Sequence, residues 1–226
     1  MHVEARGWGC SLSRNLVILG GGGHAKVVIE NLESEGYYSI CGYTVTNGEA
    51  GRQPLLGYPF LGGDDILPRL LDSGVRWAFV AIGDNAARMR CLERVRVLGF
   101  SIANAVSSRA CVSKRATLGA GVAIMPGAVV NVETRIGDGV IVNTNAGIDH
   151  DCEIGDHCHI APGAAIAGSV KIDTGAFLGI GCRVLPGVRV GSWSVVGGGA
   201  VVTSNLPPDS VAIGVPARVT RRIQHE

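Results

Sequence analysis

The chain has 226 residues, enough for one large domain or two small ones. A formal charge of +1 with 17% charged residues offers no basic face to a nucleic acid, and no apolar run approaches the roughly 18 residues of a membrane span. Glycine is plentiful, 34 residues, and aromatics are only 5%, which suits tight regular turns better than a wide aromatic core. Residues 1–14 lack the apolar stretch of a secretion signal and read as an extension. The seven cysteines are odd in number and without CxxC spacing, so free thiols in a reducing, cytoplasmic setting are expected.

Residues 15–103 alternate strands with helices. Residues 15–19 form a short apolar strand, 20–23 a glycine turn, 24–35 a helix, and 38–43 a second strand. A helix is expected over 64–72, a strand over 77–82, and a helix over 85–98 with several arginines on its outer face. This pattern predicts a small parallel, Rossmann-like α/β sheet. "GGGGHA" between the first strand and helix offers backbone N–H groups and a helix N-terminus to phosphate. Dinucleotide binding would also want an acidic residue at the end of the second strand, and none occurs before Glu49. A turn needed only for close packing is the plainer alternative.

From Val106 to Val202 an aliphatic residue falls at every sixth position without a slip, and the residue two places earlier is small or medium-sized throughout. A period of six fits neither a helix nor a long alternating strand. It fits a short strand and a tight turn, three of which close a triangular coil of eighteen residues: a hexapeptide β-helix over residues 104–203. Residues 204–226 then read as a closing tail. Cys152, Cys158 and Cys182 fall in the small inward slot and read as core filling.

The stretch "GIDHDCEIGDHCHIAPG" holds His150, His157 and His159. Three histidines suggest a metal, but nine residues separate His150 from His159, half a coil, and partners on other coils are lacking; no metal is expected. Exposed polar residues on a solenoid remain a second possibility. A general base is a third: His150 lies between Asp149 and Asp151, and a carboxylate on one ring nitrogen raises the basicity of the other. Gly168 stands eighteen residues after His150, where it would leave room for a ligand and offer an unshielded N–H.

The hexads resemble the left-handed β-helix acyltransferases. Together with "GGGGHAKVV" and "AIGDN", they resemble, over nearly the whole chain, the bacterial acetyltransferases of nucleotide-linked 4-amino sugars, which make N-acetylated bacillosamine and perosamine. The sialic acid O-acetyltransferase-like proteins share this architecture. The resemblance implies a left-handed helix, acetyl-CoA as donor, a nucleotide sugar as acceptor, and a homotrimer with active sites at subunit interfaces. It implies His150 as base, Asp151 as its orienting carboxylate and His159 at the acetyl-CoA, with Asn143 a weaker candidate to support the base. Ile180 and Gly198 would line the CoA path. Gly22, Gly23, His24 and Gly83 would contact the nucleotide. Gly168 is the candidate oxyanion donor, and His157 reads as surface. Two aspartates often end the second strand in that family; Val45 and Thr46 stand there here. Sialic acid O-acetylation and a non-catalytic trimeric scaffold are the alternatives.

Overall fold

The computed structural model describes residues 14–46 and 53–224. Glu49 and residues 1–13 of the expected extension lie outside them. In chain order the front unit comprises β1 (Arg14–Leu19), α1 (Gly23–Glu35), β2 (Tyr38–Thr44), β3 (Phe60–Gly62), a 3₁₀ turn (Asp64–Ile66), α2 (Leu67–Asp72), β4 (Trp77–Val80), α3 (Asn85–Leu98) and β5 (Ser101–Ile102). The sheet runs β3-β2-β1-β4-β5, all parallel. Leu16, Val17 and Ile18 of β1 are fully buried, as expected of a central strand covered on both faces.

The expected elements occur with four differences, one of them the unforeseen two-residue edge strand β5. The helix expected over 64–72 opens as a 3₁₀ turn and becomes α-helical only at Leu67, next to Pro68 in its first turn. The strand expected to reach residue 82 ends at Val80. Three residues too short to show a period form the edge strand β3.

Beyond Val106 each two-residue strand pairs in parallel with the strand eighteen residues on, as Val130 does with Ile148 and Ile148 with Ile166. Three flat faces result. A covered face presents Ala123, Ile141, His159 and Phe177 outward. A bare face presents Val129, Gly147, Ala165 and Arg183. A charged face presents Arg135, Glu153, Lys171 and Arg189. The aliphatic column fills the prism with Cys152, Cys158 and Cys182, each fully buried. Only the first column members, Val106, Val112 and Leu118, stay partly open. The other end is closed by Ser210–Ile213, which pairs in parallel with the last covered-face strand, and Arg218–Arg222, antiparallel to it.

The turns share one backbone device. At every sixth residue from Gly121 to Gly199, φ is positive, between 55° and 74°. Glycine takes many of these slots, and Glu133, Asn145, Asp151, His157, Ser169 and Trp193 take the rest. Asn and Asp tolerate this left-handed region better than most side chains.

The two units share a core. Ala105, Ala123, Met125 and Ile141 of the β-helix cluster with Leu16, Ile18, Ala25 and Phe79 of the front sheet. The joint is fixed by Arg88, one of the four arginines of α3, a helix expected to carry several arginines on its outer face. Arg88 is 1% exposed. Its Nε donates to the Gly139 carbonyl (2.6 Å), Nη1 to Ile82 and Gly83 (3.0 Å each), and Nη2 to Asn85 Oδ1 and the His157 carbonyl (2.8 Å each). The helix turns this residue inward because α3 lies against the β-helix edge, where successive turns leave carbonyls pointing outward. Arg96 pairs with Asp138 and Asn85 donates to the Gly175 carbonyl along the same edge. Burial pulls the Arg88 pKa down to about 10, which leaves it charged at neutral pH.

Replacing Arg88 strands several buried carbonyls at once. Arg88→Met is expected to lower unfolding free energy by on the order of 3 kcal/mol, and Arg88→Lys should recover little of it, because an ammonium cannot span the fork. Denaturant unfolding of the three proteins reads this directly; a loss below about 0.5 kcal/mol in Arg88→Met, the size of an ordinary surface change, would refute it.

Candidate active site

The glycine loop divides into two roles. A Cβ on Gly20 would fall 2.6 Å from the Ala81 carbonyl oxygen, and one on Gly21 2.8 Å from the Tyr43 ring, so these two serve close packing. A Cβ on Gly22, Gly23 or Gly83 would meet nothing within 4 Å. The last three thus border open space. Gly22 caps α1 without a side-chain hydrogen bond, leaving the helix's first N–H groups directed at that space.

His24, in the first turn of α1, points toward the β-helix. Its Nε2 is buried without a hydrogen bond. Burial, then the charge of Arg88, pull its pKa down to about 4. His159, on the covered face, lies close by: burial, Arg88 and His24 in turn lower its pKa to about 4. Asn143 Nδ2 lies 3.1 Å from His159 Nε2; an amide NH₂ can only donate, so Nε2 accepts and Nδ1 carries the proton. That Nδ1 is buried beside the Gly83 backbone with no hydrogen bond of good geometry. Phe177 packs edge-on against the ring, 5.2 Å between centroids. Asn143 therefore supports His159, not His150 as the sequence suggested, because it sits at the corner between the covered and bare faces.

His150 stands elsewhere, in the turn between the bare and charged faces. Its Nδ1 lies 2.7 Å from Asp151 Oδ2. A carboxylate only accepts, so Nδ1 holds the proton and Nε2 presents a lone pair. The side chain is 52% exposed. Its pKa is raised, first by the hydrogen bond to Asp151 and then by Asp149. Asp151 occupies a left-handed slot, φ 58°. Asp149 shapes the turn: its Oδ1 accepts from the His150 N–H (2.8 Å) and from Asn131 Nδ2 (3.0 Å), and its carbonyl accepts from Thr134 Oγ1 (2.8 Å). Asn131, eighteen residues before Asp149, was missed from sequence, although its stacked position was the available signal.

Gly168 corrects one expectation. A Cβ there would lie 2.6 Å from His150 Cε1 and 2.7 Å from Nε2. The imidazole itself fills the room left by the missing side chain, and Gly168 is buried beneath it. The space beside Gly168 is thus filled by the ring stacked on its bare Cα, not left open for a ligand.

The segment's histidines thus occupy three places. His157 sits at the corner between charged and covered faces and is half-buried under α3, with Nδ1 buried and unpartnered; it is not a surface residue. Burial and Arg88 lower its pKa. Ile180, 66% exposed, and Gly198 stack at the Asn143 corner, where a Cβ on Gly198 would lie 3.4 Å from the Ile180 carbonyl oxygen. Within one chain the structure brings together Gly22, Gly23, His24, Gly83, His159 and Asn143. It gathers His150, Asp151 and Gly168 at another edge, with the bare face between the corners of His150 and Ile180.

Comparison with known proteins agrees with this division. Residues 15–95 match the family described as PglD N-terminal domain, and residues 133–168 match the bacterial transferase hexapeptide (six repeats). No curated protein matches by sequence. Among solved structures, PerB from Caulobacter crescentus, in complex with CoA and GDP-perosamine, is 44% identical over 92% of this chain and 97% of its own, with a TM-score of 0.87. The acetyltransferase domain of PglB from Neisseria gonorrhoeae, in complex with acetyl coenzyme A, is 33% identical over 92% and 99%, with a TM-score of 0.84.

Histidine NMR titration tests these environments. His150 should titrate above 6.5 and fall back toward it in Asp151→Asn, a change the left-handed slot tolerates. His24 and His159 should stay neutral down to about pH 4. The unfolded chain takes up protons at 6.5 while these folded histidines do not, so stability should be lost as pH falls from 6.5 toward 4. A His150 titration unmoved by Asp151→Asn would refute the pairing.

Proposed function

This chain belongs to the acetyltransferase family that joins a PglD-type N-terminal domain to a hexapeptide β-helix, and we propose that it transfers the acetyl group of acetyl-CoA to the 4-amino group of a nucleotide-linked 4-amino-4,6-dideoxy sugar of the perosamine or bacillosamine type. One observation carries the reading: an imidazole held by a carboxylate, Nε2 free, in a chain that also keeps an open glycine cradle at a helix N-terminus.

The sugar amine attacks the thioester carbonyl carbon. As the C–N bond forms, its proton passes to His150 Nε2 and the carbonyl electrons move onto oxygen. Collapse of this tetrahedral centre re-forms the carbonyl and expels the CoA thiolate, which takes the proton from His150 Nε2 and returns the base to its neutral form. Asp151 holds the ring in the tautomer that can accept and stabilises the imidazolium that results. The Gly168 N–H, in the turn stacked on that of His150, is our candidate donor to the oxyanion. Buried Cys152 and Cys158 donate to carbonyls and burial raises their pKa values, so neither serves as a nucleophile in this reading, and transfer is direct.

Gly22, Gly23 and His24 are assigned to the phosphates and sugar, Gly83 to the nucleotide, and His159, Ile180 and Gly198 to acetyl-CoA. The cradle belongs to the front unit, beside the covered face, and the base lies at the corner between the other two faces, so this assignment needs a second copy to bring its His150 edge to the first copy's covered face. That favours the homotrimer with sites between subunits.

Thiol release from acetyl-CoA with nucleotide-linked 4-amino sugars, and free sialic acid as control, tests the reading. His150→Ala should lower kcat by about 10²- to 10⁴-fold, and Asp151→Asn by less. Because the base must be neutral, the rate should rise with pH through an inflection above 6.5, and Asp151→Asn should move that inflection down. Full activity in His150→Ala would sink the mechanism; release with sialic acid alone would move the acceptor to a hydroxyl.

A further inference from the structure

β2 ends at Thr44 and is followed by Val45 and Thr46, without an acidic side chain, yet a carboxylate reaches that strand end from another element. Asp64, 3% exposed, opens the 3₁₀ turn after β3. Its Oδ1 accepts from Thr44 Oγ1 at 2.7 Å and its Oδ2 from Thr46 Oγ1 at 3.0 Å. Arg94 on α3 donates through Nη2 to the Asp64 carbonyl at 3.2 Å, and its Nη1 lies 3.6 Å from Oδ2. Above this group lies a cavity of about 170 Å³, with Ile82, Ala87 and Cys91 forming its apolar wall and Thr46, Arg90 and Arg94 its polar rim.

Its place in the fold is informative. It opens at the carboxyl edge of the parallel sheet, between the ends of β2 and β4, and β1 between them leads into the glycine cradle. A nucleotide whose phosphates rest at Gly22 and Gly23 places its ribose and base along that edge. The rim chemistry is one-sided. Asp64 is committed inward to two hydroxyls and Arg94. Arg90 is exposed and has no hydrogen bond or ion pair among the described residues. The side-chain donors left to face an occupant are guanidinium N–H groups, since the Thr46 hydroxyl hydrogen is given to Asp64.

We propose that this cavity seats the nucleobase and selects guanine, with Arg90 as the reading residue, Arg94 beside it, and Asp64 as the positioning residue that holds Arg94 and Thr46. The inference rests on the nucleotide-sugar reading above. Guanine presents two adjacent acceptors, O6 and N7, which match an arginine fork. Adenine places an amino donor beside N7. Uracil alternates acceptor, donor and acceptor, which a fork of donors meets at one atom only. The flat apolar wall from Ile82 and Cys91 suits the face of a planar ring.

The test is calorimetric titration of the full chain with GDP and with UDP, no sugar or acetyl-CoA present, followed by acetyl transfer with the same amino sugar on each nucleotide. GDP should bind at least about tenfold more tightly than UDP. Arg90→Ala should weaken GDP about tenfold and leave UDP unchanged, and the retained UDP binding reports a folded chain. In the transfer assay the KM for the GDP-linked sugar should rise with kcat little altered. Equal binding of GDP and UDP by the wild type, a preference for UDP, or a GDP preference that survives both Arg90→Ala and Arg94→Ala would overturn the assignment. Transfer to nucleotide amino sugars without a guanine preference would remove the base assignment alone. Tight GDP binding without any transfer would remove the acetyltransferase reading and leave the base pocket standing.

Discussion

Arg88 is the constraint on which the arrangement of this molecule turns. A buried guanidinium with no carboxylate in contact is costly unless its N–H groups are all engaged. Here they reach the Ile82 and Gly83 carbonyls on one side and the Gly139 and His157 carbonyls on the other. The loop that carries Gly83 is therefore tied to a particular turn of the β-helix. The same charge adds to burial in lowering the pKa values of His24, His157 and His159. One side chain both directs the docking of the front unit and adds to the burial that keeps three imidazoles near it neutral. Its fork of fixed donors makes that docking directional, where an apolar interface alone would tolerate sliding.

The six-residue period does a comparable job for His150. Each turn offers a position two residues past the inward aliphatic side chain, where the residue stacks on its counterpart one coil away, and a third position held at positive φ. His150 takes the first and Asp151 the second. Their hydrogen bond thus follows from a backbone geometry the solenoid repeats everywhere. What distinguishes this turn is its stacked neighbours: Gly168, which lets the ring lie flat, and Asn131, which holds Asp149. In the proposed reading a generic scaffold becomes a site through one absent Cβ and one amide.

The polar groups divide by environment as well as by place. His150 sits half in water between two carboxylates, and its pKa moves up. His24 and His159 sit between two units under a buried cation, and theirs move down. In the proposed reaction these environments suit three imidazoles of one chain to different work, one as a proton acceptor and two as neutral hydrogen-bonding groups. The β-helix keeps them a face apart, and in the proposed reaction a second copy closes that gap.

The sequence by itself determined the β-helix, its inward column, the alternating front unit and the His150–Asp151 neighbour pair, because each is a local or strictly periodic feature that a side-chain pattern must carry. It also pointed to the open glycines, though it could not separate Gly20 and Gly21, which pack, from Gly22 and Gly23, which face space. Only the tertiary structure decided the roles set by contacts between distant segments. Arg88 turned inward, Asn143 went to His159, His157 went under α3, and Asp64 reached the end of β2. Gly168 proved to be covered by the ring it accommodates. A residue's period tells which way it faces within its own element, but not what another element lays over it, and at the joint between two units that second fact governs burial, pKa and partner.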